Sequence, residues 1–218
     1  MKTLIAGAGQ LGAQAAHLLA ATGHQVTVID QDRTRLTELK SEHLHQLVHG
    51  DACEPTVLER AGVRNTDLLL AATGENEDNL VITLLAKRQF GVARTLARVN
   101  DPDDTWLFDD RWGVDAALPS AAPLVSLIEE AAGIADTFGL LRLTTAGVTL
   151  IETRLTEHSS AVGHPLTDIH LPPNTIVAAV VQNGRPVVPG PDYRFTAGNT
   201  LLVVTTTATE TDIHNAFQ

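Results

Sequence analysis

The chain has 218 residues, of which 44% are hydrophobic and 19% charged, and its formal net charge is −11. This length allows one large or two modest domains with a substantial core, and the composition excludes a long disordered stretch. The negative charge argues against a nucleic-acid partner, the single cysteine Cys53 excludes an internal disulfide framework, and no apolar run approaches the roughly 20 residues of a membrane helix. We therefore expect a soluble cytoplasmic protein.

The first 120 residues alternate between short apolar strand patterns and helical patterns. The predicted strands lie at 4–6, 26–29, 46–48, 68–71 and 95–99, with a sixth, edge strand at 113–118. Helices are predicted between them, at about 11–23, 32–41, 54–61, 76–90 and 103–110. Apolar strands separated by helices indicate a parallel sheet with right-handed crossovers. The sequence thus predicts an α/β fold, with a Rossmann-like domain over 1–136.

A longer crossover helix is predicted over about 121–136. Its apolar residues recur at helical spacing and form a stripe: Leu124, Leu127, Ile128, Ala131 and Ile134. Such a stripe faces either the core of its own domain or a second subunit, and the pattern does not decide between them.

The pattern changes after Phe138. Strands rich in Thr and Val are predicted at 148–153, 175–181 and 200–204, and Asn183-Gly184 predicts a hairpin with a type I′ turn. We place the domain boundary at 136–139, followed by a small, mostly antiparallel α+β domain over 139–218.

A glycine-rich loop carries the main chemical signal. Gly7, Gly9 and Gly12 follow the Gly-x-Gly-x-x-Gly spacing between a strand and a helix, and Asp30 ends the next strand. This context fits the dinucleotide fingerprint, in which the pyrophosphate meets free N–H groups at the helix N-terminus. Asp30 would accept hydrogen bonds from the adenosine ribose and repel a 2′-phosphate, which favours NAD over NADP. The alternative is a degenerate Rossmann domain that binds nothing.

Further polar residues follow the strand ends at the ligand-facing edge of the sheet. Asp51 contacts the adenosine or caps a helix. Thr73 and Gly74 bring backbone close to the centre of the ligand or form an ordinary loop. Arg98 meets phosphates or pairs with an acid. The candidate nucleotide-binding residues are Gly7, Gly9, Gln10, Leu11, Gly12, Asp30, Gln31, Arg33, Asp51, Ala52, Ala72, Thr73, Gly74, Asn76 and Arg98.

No catalytic or metal-binding set accompanies the loop. Cys53 has no thiol partner, and no carboxylate or cysteine completes a zinc site with His43, His45 and His49. The only tyrosine is Tyr193, so no Tyr-x-x-x-Lys pair exists. Because hydride transfer needs a substrate pocket and a proton donor as well as a cofactor, we predict that the protein is not an enzyme.

Seven segments, at 6–12, 28–32, 49–52, 71–79, 171–177, 184–189 and 197–201, resemble the TrkA/KtrA family of potassium uptake regulators in the same order. Their subunits consist of RCK N-terminal and RCK C-terminal domains. The resemblance implies dimers that assemble into an octameric ring. It also implies a TrkH/KtrB-like membrane subunit that holds the ring at the inner face of the plasma membrane. Nucleotide binding would then set whether the pore is open or closed.

Two departures from the family pattern bear on the ligand. Some relatives carry Arg at the position of Gln10. Many carry Glu directly after the proline of the sixth-strand loop, where this chain has Ser120 after Pro119. Without this Arg and this Glu, the case for ATP with a bridging metal is weaker. NAD(H) is therefore favoured, followed by ADP or AMP and then ATP. The alternatives to a gating subunit are an NAD-dependent oxidoreductase and a nucleotide or redox sensor with a non-channel target.

Overall fold

The computed structural model describes residues 1–39, 46–121, 124, 125, 127, 128, 132, 135–143 and 146–218. The chain divides into two compact units, Met1–Ala121 and Ala122–Gln218. The division lies at the start of the crossover helix, which the sequence assigned to the first domain. Within the described residues, no helix is long and apolar enough to cross a membrane.

The first unit is built on a six-stranded parallel sheet with the order β3-β2-β1-β4-β5-β6. Its strands are β1 (Lys2–Ala6), β2 (Gln25–Asp30), β3 (Gln46–His49), β4 (Leu68–Ala71), β5 (Arg94–Val99) and β6 (Ala116–Pro119). Every neighbouring pair is parallel, so the predicted α/β fold class is confirmed. The strand order reverses between β1 and β4, and ligands of such sheets bind outside the carboxyl ends of the strands at that point.

Four α-helices connect these strands: α1 (Gln10–Ala21), α2 (Arg33–Leu39), α3 (Pro55–Arg60) and α4 (Asn76–Leu84). A π-helical turn, Leu85–Gln89, extends α4 to the predicted end. The helix predicted over 103–110 is instead two short 3-10 helices, Pro102–Leu107 and Asp110–Trp112. Asp101 and Asp109 each accept a hydrogen bond from the N–H group two residues ahead, so the second carboxylate starts a new turn.

Adjacent strand residues of the first unit are buried on opposite faces of the sheet. Leu4 packs into a core cluster with α3 and α4, whereas Ile5 packs into a cluster with α1 and α2, and both are fully buried. The consecutive residues Leu69 and Leu70 divide between the same two clusters. Helices on both faces explain why these strands are apolar throughout rather than alternating.

The second unit contains a five-stranded antiparallel sheet with the order β10-β9-β11-β8-β7. Its elements are β7 (Thr137–Leu143), β8 (Val148–Arg154), β9 (Thr175–Gln182), β10 (Arg185–Val187), β11 (Thr200–Thr205) and a C-terminal helix, Glu210–Phe217. The predicted hairpin is confirmed, because Gln182 pairs with Arg185 and both intervening residues have positive φ, 51° at Asn183 and 74° at Gly184. Alternate strand residues such as Ile151 and Val203 pack with Phe217 of the helix in one core.

The structure describes part of the apolar stripe predicted on the crossover helix. Leu124, Leu127 and Ile128 are helical, with 61%, 52% and 63% of their surface exposed. Ala131 and Ile134 lie outside the described residues. These side chains belong to none of the core clusters formed by the described residues, and their role in assembly stays a prediction.

Candidate functional site

A cavity of about 650 Å³ opens at the carboxyl ends of the parallel strands, where the strand order reverses. Of the residues predicted for the site, all except Gln10, Leu11, Gly12 and Asn76 line it. The full lining is Gly7, Gly9, Ile29, Asp30, Gln31, Asp32, Arg33, Arg35, Gly50, Asp51, Ala52, Ala72, Thr73, Gly74, Asp78, Ile82 and Arg98. The fold therefore brings together residues from the ends of β1, β2, β3, β4 and β5.

The three glycines of the loop meet different surroundings. Gly7 has φ +105°, and a Cβ there would lie 2.7 Å from the carbonyl oxygen of Ala72. A Cβ on Gly12 would overlap the carbonyl oxygen of Gly7, so this glycine lets α1 pack against the loop. Gly9 has an ordinary φ of −67°, and no atom lies within 4 Å of its Cβ position. Neither conformation nor packing requires glycine at Gly9, whereas a ligand that approaches the backbone would.

The first turn of α1 offers backbone donors to the cavity. Gly9 is the N-cap residue and provides no side-chain hydrogen bond, and the first turn holds no acidic residue. The N–H groups of Gln10, Leu11 and Gly12 therefore have no capping side chain, and the first N–H groups of a helix have no intrahelical partner. The backbone N–H groups of residues 10–12 are thus available as donors, and the positive end of the helix dipole suits an anion.

The side chain of Asp30 links the glycine-rich loop to the end of β2 through hydrogen bonds. Its Oδ2 accepts a 2.6 Å hydrogen bond from the N–H of Ala8, and its Oδ1 accepts a 2.7 Å bond from the N–H of Asp32. The side chain is buried, but each carboxylate oxygen keeps a lone pair that a ribose hydroxyl can use. The sequence predicted only the ribose contact and missed this loop attachment, which has no local sequence signal.

Acidic and basic side chains share the end of the cavity near β2 and β3. The N–H of Thr34 donates to Asp32, which holds the pKa of that exposed carboxyl below its usual value, so Asp32 is ionised. Arg33 and Arg35 line the same end, and the Nε of Arg35 lies 3.8 Å from Oδ2 of Asp32. This end therefore carries mixed charge.

Asp51 is not the cap of α3. Glu54 occupies the N-cap position, and Oδ1 of Asp51 accepts a 2.8 Å hydrogen bond from the N–H of Cys53 in the preceding turn. Its place in the cavity lining keeps the predicted adenosine contact available.

Arg98 places a buried donor beside the cavity. Its Nε is inaccessible to solvent and has no hydrogen-bond partner among the described residues. The ion pair considered from the sequence is not found within the described part of the chain. Buried donors are rarely left unpaired, so this arginine is suited to an anionic ligand.

Asn76 does not line the cavity, contrary to the sequence prediction. It is buried at the start of α4, where its Oδ1 accepts from the N–H of Asn100 and its Nδ2 donates to Asp104, both at 2.8 Å. A residue that the sequence prediction missed, Asn79, is fully buried and bonds to the cavity-lining Thr73. Asn79 therefore bonds to the wall of the cavity, whereas the partners of Asn76 do not line it.

The described residues hold no reactive set at this site. Burial first, and then the charges of Asp78 and Asp51, raise the pKa of the Cys53 thiol to about 12, so the thiol stays protonated and is a poor nucleophile. No group of three potential metal ligands occurs within the described residues. His43 and His45 lie outside them, and Nε2 of His49 lies 3.0 Å from the carbonyl oxygen of Gln31. The geometry supports binding of an anionic ligand.

Comparison with known proteins identifies the class of these two units. Residues 3–119 match the TrkA-N domain family and residues 150–218 match the TrkA-C domain family. The chain is 37% identical over 213 residues to the Trk system potassium uptake protein TrkA of Mycobacterium tuberculosis, covering 98% of this chain and 96% of that protein. A TrkA homolog of Archaeoglobus fulgidus is 33% identical over 95% of this chain, which spans 48% of that homolog. The chain belongs to the TrkA family.

Solved structures share the fold at lower identity. The GsuK RCK domain aligns over 99% of this chain with a TM-score of 0.53 and 19% identity, and the GsuK channel bound to NAD aligns with a TM-score of 0.58 and 16% identity. This chain spans 46% and 39% of those two chains. The Kef C-terminal domain of Shewanella denitrificans in its AMP-bound form has a TM-score of 0.50 and 23% identity over 67% of this chain and 86% of that one. The predicted fold, a Rossmann-like parallel-sheet domain followed by a small second domain, is thereby confirmed.

Proposed function

We propose that this protein is a cytoplasmic nucleotide-sensing subunit that gates a potassium uptake system of the Trk/Ktr type. It binds an adenine nucleotide in the cavity at the carboxyl edge of the parallel sheet. NAD(H) is the preferred ligand, followed by ADP or AMP and then ATP. The names of the relatives support the potassium system, and the NAD- and AMP-bound structures of similar fold support the ligand class.

One observation carries the binding proposal. Gly9 and Gly74 both line the cavity, neither has a positive φ, and no atom lies within 4 Å of either Cβ position. A Cβ atom at either position would therefore contact no described part of the chain. Glycine at both is explained by a ligand whose phosphates approach the backbone closely.

The charges around the cavity suggest how the nucleotide is oriented. Its phosphates lie at the first turn of α1 and near Arg98, and its adenosine lies toward β2 and β3. There Asp30 accepts from the ribose hydroxyls. Because Asp30 and Asp32 both place carboxylates at that end, a 2′-phosphate is disfavoured and NAD is preferred to NADP.

We propose that binding alters shape and that no chemistry follows. A nucleotide shifts a gate only by its different affinities for two states of the assembly. The crossover helix at 121–136 is our candidate for the joint that moves, within dimers that form an octameric ring under a TrkH/KtrB-like membrane subunit. That partner would hold the ring at the inner face of the plasma membrane. NAD and NADH should both be recovered unchanged after long incubation with the protein.

Calorimetric titration with NADH, NAD, ATP, ADP and AMP tests the binding proposal. We expect at least one of these ligands to bind the wild-type protein and to lose binding in Gly9→Val. Gly190→Val is the matched control, because Gly190 also has no atom within 4 Å of its Cβ position but lies in the second unit. A wild-type protein that binds none of the five, or a valine variant that binds as tightly as the wild type, would refute the proposal.

A further inference from the structure

One buried amide joins the ends of two strands behind the cavity. Asn79, on α4, is fully buried. Its Oδ1 accepts hydrogen bonds from the N–H and the hydroxyl of Thr73, at 2.9 and 2.8 Å. Its Nδ2 donates to the carbonyl oxygen of Arg98 at 2.9 Å and, at 3.4 Å, to the carbonyl oxygen of Thr73. Thr73 follows β4 and Arg98 lies near the end of β5, so this single side chain bridges both.

The interior around α4 does not by itself call for an amide at this position. The neighbouring helix residues Leu80 and Ile82 pack into the apolar core, and a buried polar group costs free energy unless its hydrogen bonds are made. The four side-chain hydrogen bonds of Asn79 go to two residues, and both of these line the cavity. The amide thus serves the geometry of the cavity wall.

A second side chain acts on the same loop. Nδ2 of Asn100, just beyond β5, donates to the carbonyl oxygen of Thr73 at 3.2 Å. The backbone N–H and carbonyl of Thr73 are therefore both held from outside the cavity. The next residue, Gly74, faces open space, and the buried Nε of Arg98 lies at the other strand end. This network fixes the Thr73–Gly74 loop and Arg98, which both line the cavity, relative to each other.

We infer that Asn79 is a positioning residue for the nucleotide, an inference that rests on the proposed function. It sets the spacing between the Thr73–Gly74 loop and Arg98, and so the part of the cavity that receives the phosphates. The adenosine end is formed by Asp30 and Asp51 at the ends of other strands. Among the described residues, the side-chain hydrogen bonds of Asn79 go to neither of them. Asn79 therefore controls affinity for phosphate-bearing ligands and not for adenosine alone.

The test compares Asn79→Ala with Thr83→Val in calorimetric titrations with adenosine, ADP and NAD. Thr83 is an apt control, because it is also fully buried on α4 but donates to the carbonyls of Asn79, Leu80 and Trp112, none of which lines the cavity. We expect Asn79→Ala to weaken ADP and NAD at least tenfold while adenosine changes by less than threefold. Thr83→Val should bind all three ligands as the wild type does.

Each other outcome is decisive. Unchanged ADP affinity in Asn79→Ala overturns the inference, and so does an equal loss for adenosine and ADP, which indicates general damage to the domain. Equal losses in Thr83→Val overturn it as well. If Asn79→Ala does not fold, the variant Asn100→Ala is measured instead. Its affinity for ADP should be about threefold lower than that of the wild type, and an unchanged affinity overturns the inference. All of these outcomes concern the variants and leave nucleotide binding by the wild-type protein intact. A wild-type protein that binds no nucleotide would instead refute the proposed function itself.

Discussion

Three glycines of one loop should respond differently to the same added methyl group. Gly9→Ala introduces a side chain at an ordinary φ with no atom within 4 Å. The loss of a favourable N-cap residue and the reduced entropy of the unfolded chain are each worth about 0.5–1 kcal/mol and oppose each other. The free energy of unfolding should therefore change by less than about 1 kcal/mol. Nucleotide binding should weaken strongly and be abolished by the larger Gly9→Val.

The same substitution at the two flanking glycines should damage the fold. In Gly12→Ala the Cβ overlaps the carbonyl oxygen of Gly7, so α1 must move away from the loop. Gly7→Ala combines a φ of +105° with a 2.7 Å approach to the carbonyl oxygen of Ala72. Overpacking and backbone strain each cost about 1–3 kcal/mol. Gly12→Ala, which has only the overpacking, should lose about 1–3 kcal/mol of stability, and Gly7→Ala, which has both, should lose about 2–6 kcal/mol.

Thermal unfolding followed by circular dichroism, together with calorimetric titration of ADP and NAD, measures both effects. The melting temperature of Gly9→Ala should stay within a few degrees of the wild type, while Gly7→Ala and Gly12→Ala melt clearly lower. Two results would refute the reasoning. One is a Gly9→Val variant that binds nucleotide tightly, and the other is a Gly9→Ala variant as unstable as Gly12→Ala.

Three further changes have expected outcomes. Asp30→Ala should weaken nucleotide binding at least tenfold, about 1.5–3 kcal/mol, and should also lower stability because the N–H of Ala8 loses its acceptor; unchanged affinity in a folded variant contradicts the placement of the ribose. Leu127→Asp should shift the light-scattering mass towards monomer with an unchanged circular dichroism spectrum, and a wild-type chain that is monomeric at high concentration rules this out. Burial opposes ionisation of Asp115, but the hydrogen bond from Lys87 and those from Thr95 hold its pKa below the usual value. The stability that Asp115 contributes is therefore present above its unfolded-state pKa, about 3.9, and is lost as the pH falls through the lower folded-state pKa. Urea unfolding should show Asp115→Asn less stable than the wild type at pH 7, and the difference should shrink as the pH falls below about 3.9. A difference that is equally large at pH 7 and at low pH contradicts this assignment.

The sequence predicted the parts of the fold that local patterns encode. Strands buried on both faces are continuous apolar runs, and Asn183-Gly184 specifies its own turn. The C-terminal helix, Glu210–Phe217, was missed although it carries a local signal. Thr209 and Asp212 form a capping box, and Ile213 and Phe217, four residues apart, are both buried. Strand β6 begins at Ala116 instead of 113, because Gly113 adopts a left-handed φ of 72° that ends a 3-10 helix.

The candidate site also contains features that a local sequence pattern predicts and features that it does not. The glycine loop and Asp30 were predicted because their spacing is a local signature. Asn79 and the loop attachment by Asp30 could not be predicted, because each depends on contacts between residues distant in the chain. Asn76 was placed in the cavity from its position after β4, but its amide turns away to Asn100 and Asp104.

Potassium flux measured with and without nucleotide tests the central claim most directly. The assay reconstitutes this protein with its potassium-translocating partner in vesicles. We expect a several-fold change in flux on adding the preferred nucleotide, since coupling energies between sites are typically about 1–3 kcal/mol. The response should be absent in Gly9→Val and retained in Gly190→Val. A flux that is the same with and without this protein, and with and without nucleotide, would contradict the account.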